Sequence, residues 1–307
     1  MQEKFQSLYE PIKLPNGLEL PNRFVVAPMS IEGADKNGAP TMEDVNFWKR
    51  RADTAALLIT GETSISLYGM TSEHQLGLFD SNLDAFKKIT AAMKSKGNKA
   101  IVQMFHGGFK AQTSYEKLGS AYGPSALDTD ILGYPLTELT DEQIQLIIKQ
   151  FGHAAELAIE AGFDGIELSA NFYLLYSFFS RYYNKRQDKW GAASLATRSA
   201  LDLAVLDEMI KIIKAEAPKD FILGVRFRPE DYVVTRNMSK SDGGEVNHTL
   251  DDTIYLMHEM MKRPIDYIHS MGWGGAGAYK KLEKIGDQHR QVTGTMKKEI
   301  DGKVFNC

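Results

Sequence analysis

Short apolar runs alternate along this chain with longer stretches whose apolar positions recur every three to four residues. The runs are Phe24-Val-Val-Ala-Pro28, Ala56-Leu-Leu-Ile-Thr60, Lys99-Ala-Ile-Val-Gln-Met104, Phe163-Asp-Gly-Ile-Glu-Leu168, Phe221-Ile-Leu-Gly-Val-Arg226 and Ile265-Asp-Tyr-Ile-His269. The spacing between them predicts helices over 42–54, 81–96, 140–161, 194–217 and 250–262. Thr41 is placed to cap the first of these. Gly97 and Gly162 stand just past two helix ends, where a left-handed residue closes the last turn. Asn16-Gly17, inside residues 10–23, is a hairpin turn signal. The second run is closed by Gly61, and residues 109–139 read as one long loop.

Apolar strands alternating with helices pair in parallel beneath a helical layer. Two architectures meet that pattern. A doubly wound sheet places a glycine-rich phosphate loop after its first strand. Here the first strand runs into Ala27-Pro-Met-Ser30, which cannot form one. The expected fold is therefore α/β, of (β/α)8 TIM-barrel type, in a single domain over residues 1–307. A barrel needs eight strands. After His269 only the segment from Met296 to Phe305 resembles a helix end entering another strand. The barrel expected from the sequence is truncated, with strands seven and eight absent.

Composition narrows the partners. The 307 residues include 36 Lys and Arg against 40 Asp and Glu, a net charge of −4. That balance gives no basic surplus for nucleic acid or an anionic membrane. No apolar run approaches bilayer thickness, and Met1-Gln-Glu-Lys4 lacks a signal-peptide core. The one cysteine, Cys307, excludes a disulfide framework and a thiolate metal site. His258-Glu259 is followed by Met260, Met261 and Lys262, so no His-Glu-x-x-His metal spacing occurs. The expectation is a cytoplasmic protein acting on a small molecule, alone or as a homo-oligomer. Gly272-Trp-Gly-Gly-Ala-Gly277 matches G-x-G-x-x-G after a strand, but too little chain follows for a dinucleotide domain, and it reads as a loop.

Polar residues gather at the ends of the runs, where a (β/α) barrel builds its active site. The fourth run leads into Ser169, Asn171 and Tyr173, then Asn184-x-Arg186-x-Asp188-x-Trp190-Gly191. The opening Leu20-Pro-Asn-Arg-Phe-Val-Val-Ala-Pro-Met29, the exit Ile59-Thr-Gly-Glu-Thr63, Gln103-x-x-His106-x-Gly108 and Ala161-Gly-Phe-Asp-Gly-Ile-Glu167 stand in order around it. Together these motifs resemble the Old Yellow Enzyme family of FMN-dependent, NAD(P)H-oxidising barrels. More narrowly, they resemble its bacterial NADH-dependent flavin oxidoreductase branch, from about residue 8 to residue 303.

The resemblance implies FMN as cofactor and NADH or NADPH as hydride donor. It places Ala27, Pro28 and Met29 along the flavin ring, with Ser30 near its O4/N5 edge. Gly61 and Glu62 fall where the second strand meets the flavin; the family more often has a small residue at the Glu62 position, so this side chain would either crowd the cofactor or point away from it. Gln103 would bind the pyrimidine edge, and Arg226 would face N1 and O2. Ser169 and Asn171 match the two donors that grip the carbonyl of an electron-poor alkene, and Tyr173 matches the acid that protonates it. This chain departs from the pattern at one donor: a serine stands where the family has histidine, in a segment one residue shorter. Weaker polarisation is expected there. The FMN phosphate would be held by loops after strands seven and eight. The alternative expectation is a truncated, weakly active or inactive remnant that does not hold FMN.

Overall fold

Seven strands lie side by side in one parallel sheet, in the order in which the chain makes them. They are β1 (Val25–Val26), β2 (Leu57–Ser64), β3 (Lys99–Phe105), β4 (Gly165–Ser169), β5 (Ile222–Phe227), β6 (Tyr267–Ser270) and β7 (Val304–Asn306). The computed structural model describes residues 3–127, 133–170, 173–229, 231–232, 246–271, 294–299 and 304–306. The main helices are α1 (Met42–Lys49), α2 (Leu83–Met93), α3 (Asp141–Glu160), α4 (Tyr173–Phe179), α5 (Ala200–Glu216) and α6 (Leu250–Met261). Three of them start at a side-chain cap. Thr41, Thr140 and Thr249 form capping boxes with Asp44, Gln143 and Asp252 at α1, α3 and α6.

Period-two alternation divides the strand side chains between two cores. Leu58, Ala100, Val102, Ile166, Leu223 and Val225 pack outward against the helices. Leu57, Ile59, Ile101, Ile222 and Tyr267 form a second cluster with Leu14 and Leu20 of the N-terminal hairpin. That cluster joins β2, β3, β5 and β6, so the sheet curls around one interior and the hairpin plugs its lower end. The hairpin pairs Ile12 with Leu20 and turns at Gly17, φ 95°, as Asn16-Gly17 predicts. Asn16 then ties it to β6, its backbone N–H donating to Asp266 at 3.0 Å.

Three sequence expectations are corrected. Strand seven is present: β7 runs parallel to β6 in the register Ile268↔Val304. It covers part of the N–H and C=O row that β6 would otherwise expose. β1 and β7 are the sheet's edges, and among the described residues no eighth strand joins them. Second, Gly61 does not close β2. The strand passes through it to Ser64, with a register shift between Ile59 and Glu62. A Cβ at Gly61 would lie 2.5 Å from the Met29 carbonyl oxygen, so the glycine is there for close approach. Third, 109–139 is not one loop. It holds a helix, Gln112–Leu118, ended by left-handed Gly119, and a small pair of strands, Ala121–Gly123 with Leu136–Glu138. A helix that short shows no apolar period to read.

Candidate active site

Above the apolar interior layer, the inward positions of the sheet become polar. Gln103 lies in register with Glu167, Ser169 with Arg226, and Arg226 with His269. These side chains are almost wholly buried, and all but Ser169 are joined to one another. The Gln103 amide N–H donates to Glu167 Oε1 at 2.6 Å, and Arg226 Nη1 donates to Gln103 Oε1 at 3.4 Å. His269 Nδ1 lies 2.9 Å from Glu167 Oε2. Burial works to raise the Glu167 carboxyl, but the charge and hydrogen bond of His269, with Arg226 and Gln103, hold it below its ordinary value. The network sits directly beneath the strand exits.

The segment leaving β1 crosses β2 at Gly61. Met29 is 53% exposed there, beside partly buried Ala27 and Pro28 and exposed Ser30. Past the register shift, Glu62 pairs with Gln103 across the sheet and accepts a hydrogen bond from the Tyr173 hydroxyl at 2.8 Å. Burial raises the Glu62 carboxyl above its ordinary value, only partly offset by Tyr173, Arg226, Lys110 and Arg228. The Tyr173 phenol is pushed up by burial and then by the Glu62 charge and hydrogen bond.

Tyr173 opens α4 with φ 50°, a left-handed conformation that bulky residues rarely adopt. The loop after β3 makes room for it. A Cβ on Gly108 would lie 2.6 Å from Leu174 Cα, and the Leu174 N–H donates to the His106 carbonyl at 3.1 Å. The Phe105 ring packs 5.1 Å from the Tyr173 ring. His106 itself is an interior histidine. Its Nδ1 accepts from the Gly108 N–H at 3.0 Å, and burial lowers its pKa to about 4. The folded chain therefore binds this proton less readily than the unfolded one, whose histidine titrates near 6.5. Stability from this source is intact above about pH 6.5 and is lost as pH falls to about 4, a total of about 3 kcal/mol. Urea unfolding near neutral pH and at about pH 5 should show a smaller acid loss in His106→Asn than in the wild type. Equal losses would refute the assignment.

The other predicted residues divide. Ser169 faces inward, 1% exposed, and its Oγ has no hydrogen-bond partner among the described residues. Asn171, the Gly272–Gly277 stretch and Cys307 lie outside the described residues. The phosphate seat expected after strands seven and eight is not represented among the described residues either. Asn184 and Arg186 are scaffold. Asn184 Nδ2 donates to the carbonyls of Phe178 and Trp190 at 2.7 and 2.8 Å. Arg186 bonds Asp188, Glu138 and the Leu139 carbonyl, clamping two loops together. Glu167 and His269 were missed as site residues. Parity was the available signal, since Glu167 stands two places from Ser169 on one strand and so faces the same way.

A hollow of about 500 Å³ opens at the opposite end of the sheet, beside Asn16, Phe221, Arg263 and Asp266. Its polar groups serve the fold. Asp266 accepts from the N–H groups of Asn16 and Leu223, and Arg263 pairs with Asp207. No cluster able to hold a metal and no helix long and apolar enough to cross a membrane occur among the described residues. The buried polar network lies toward the C-terminal strand ends, the end where TIM-barrel enzymes build their sites.

Known proteins resemble this chain in sequence and in fold. An uncharacterized oxidoreductase of Streptococcus pyogenes is 38% identical over 278 residues, 89% of this chain and 67% of that protein. An NADH:acrylate oxidoreductase of Vibrio harveyi is 35% identical over 270 residues, 86% of this chain but 26% of that protein. The crystal structure of an Old Yellow Enzyme from Pichia superposes with a TM-score of 0.75 at 26% identity, covering 98% of this chain and 82% of that one. The chain thus spans about two thirds of the first relative and about a quarter of the second. The pattern of one oxidoreductase family, whose cofactors are FMN and NAD(P)H, matches residues 7–297, and the chain belongs to it: the NADH:flavin oxidoreductase / NADH oxidase family.

Proposed function

We propose that this chain, with FMN seated across the exits of β1, β2, β3 and β5, takes hydride from NADH or NADPH and passes it to the β-carbon of an electron-poor alkene. The observation that carries the reading is the Tyr173 hydroxyl, held 2.8 Å from Glu62 at the mouth that Gln103 and Arg226 floor. A proton donor, a fixed cation and an amide meet there on a common interior.

The residues fit a flavin. Ala27, Pro28 and exposed Met29 form an apolar shelf that a flat ring would cover. Gly61 puts no side chain between that shelf and β2. The Gln103 carboxamide can both donate and accept, which suits a pyrimidine edge. The Arg226 guanidinium suits the negative charge of the reduced ring. Ser30 would offer a hydroxyl to the ring's edge, and Glu62 would bound the site on the Tyr173 side. When bound, FMN supplies the two-electron carrier between nicotinamide and acceptor.

The remaining steps belong to the chain. Ser169, with Asn171, would hold the acceptor carbonyl and polarise the double bond. Tyr173 would deliver a proton to the α-carbon. The Vibrio relative is named for acrylate, an alkene activated by a carboxylate, which supports this acceptor class.

Anaerobic mixing tests the reading. NADH should bleach the visible flavin band of the FMN-loaded protein, and acrylate or a cyclic enone should restore it, with the saturated product recovered. Bleaching by NADH with no return on any activated alkene would leave the family intact and overturn the acceptor class.

A further inference from the structure

Glu62 is the residue at this mouth with no evident task in hydride transfer. It is ionisable, partly buried and within hydrogen-bond reach of the proton donor. Its position is built, because the β2 register shift between Ile59 and Glu62 sets it opposite Gln103. Gly61 lets β2 pass the Met29 carbonyl to reach that point. On the other side, Tyr173 is held in a left-handed conformation at the start of α4, with its ring against Phe105. Strain of this kind persists only where the surroundings enforce it. Two independent local distortions thus bring one carboxyl and one phenol together at 2.8 Å.

We propose that Glu62 is the proton relay behind Tyr173, recharging the phenol after it has protonated the alkene; this rests on the function proposed above. The balance is simple. The two electrons arrive with hydride from NAD(P)H through the flavin, forming the Cβ–H bond. The Tyr173 O–H bond breaks as the Cα–H bond forms. The Glu62 O–H bond then breaks to restore the phenol, and the Glu62 carboxylate takes a proton from water.

Electrostatics supply the reason for a relay. A phenolate formed beside an ionised Glu62 would place two anions within 2.8 Å of one another, which a partly dry site penalises strongly. The step therefore runs through protonated Glu62, and a carboxyl raised by burial keeps that form accessible. Other charged groups face Glu62 from all sides. Arg226 comes from β5, Arg228 from just beyond it, and Lys110 from the loop after β3. Glu32, Asp44 and His74 line the adjoining hollow behind Met29 and Gly61. The three cations stabilise the carboxylate left after each transfer, so the relay can discharge and recharge.

The test is Glu62→Gln in the FMN-loaded protein, with Glu62→Asp beside it. The glutamine can keep a hydrogen bond to Tyr173 but carries no transferable acidic proton. Wild-type reoxidation by an alkene should slow as pH rises through the Glu62 titration. Glu62→Gln should lose that pH dependence and reoxidise about 10–100-fold more slowly, a larger fall than in its reduction by NADH. Glu62→Asp should recover part of the rate and restore a pH-dependent limb. A Glu62→Gln profile that follows the wild type overturns the relay alone. A wild type that no alkene reoxidises overturns the acceptor class, and the relay with it.

Discussion

Replacing Glu167 with alanine should cost about 3–5 kcal/mol of folding stability. The carboxylate is fully buried, and its oxygens take the Gln103 amide N–H and the His269 ring. Arg226 stands close enough to help hold it ionised. Removing one member leaves the others in a dry interior with their desolvation uncompensated, and that penalty, rather than the worth of the lost bonds, dominates. Glu167→Gln should lose less, because the amide oxygen still accepts from Gln103. Replacing Glu167 and His269 together by leucine should cost less than the two single changes summed, since neither then faces a stranded partner. Urea midpoints for the wild type and these five variants measure this. An alanine variant within about 1 kcal/mol of the wild type would mean that water already reaches the network. The same change should also loosen flavin retention, because Glu167 fixes which way the Gln103 carboxamide points.

This network shows what the sequence could and could not yield. The strands were legible because β2 to β6 are buried on both faces, and continuous apolar runs bounded by turns have few other readings. Helix starts were legible wherever a cap lay just before an apolar stripe, as at Thr41. Gly61 was misread because a glycine that lets a neighbouring chain pass looks, in one dimension, like one that ends a strand. Glu167 and His269 were passed over for another reason. They lie 102 positions apart, and each alone is a polar residue inside a strand. Only the curl of the sheet turns them to one interior. The approach to β7 was legible in Met296 to Phe305, but not its place as a paired strand, because that pairing depends on an edge that β6 creates far earlier in the chain. Glu62 facing Tyr173 needed both a register shift and a left-handed residue, and neither has a signature in residue type.

Removing the Tyr173 hydroxyl should slow alkene reduction by about 10²–10⁴-fold, the usual worth of a positioned general acid. Tyr173→Phe keeps the ring that packs 5.1 Å from Phe105, so α4 should stay docked on the loop after β3. What goes is the bond to Glu62 and the proton on it. The two halves of the cycle should therefore separate. Reduction by NADH asks nothing of the phenol and should slow far less than reoxidation by an alkene. An acceptor needing no carbon protonation, such as a quinone, should still reoxidise the variant at close to its usual rate. Losing the hydroxyl also removes a group that lowers the Glu62 pKa, leaving burial to push that carboxyl further up. Any residual alkene turnover should then have its acid limb at higher pH than the wild type. Stopped-flow traces of flavin reoxidation, read for alkene and quinone in parallel, settle the matter: equal slowing with both would make Tyr173 a packing residue, and no slowing with the alkene would move the proton donor elsewhere.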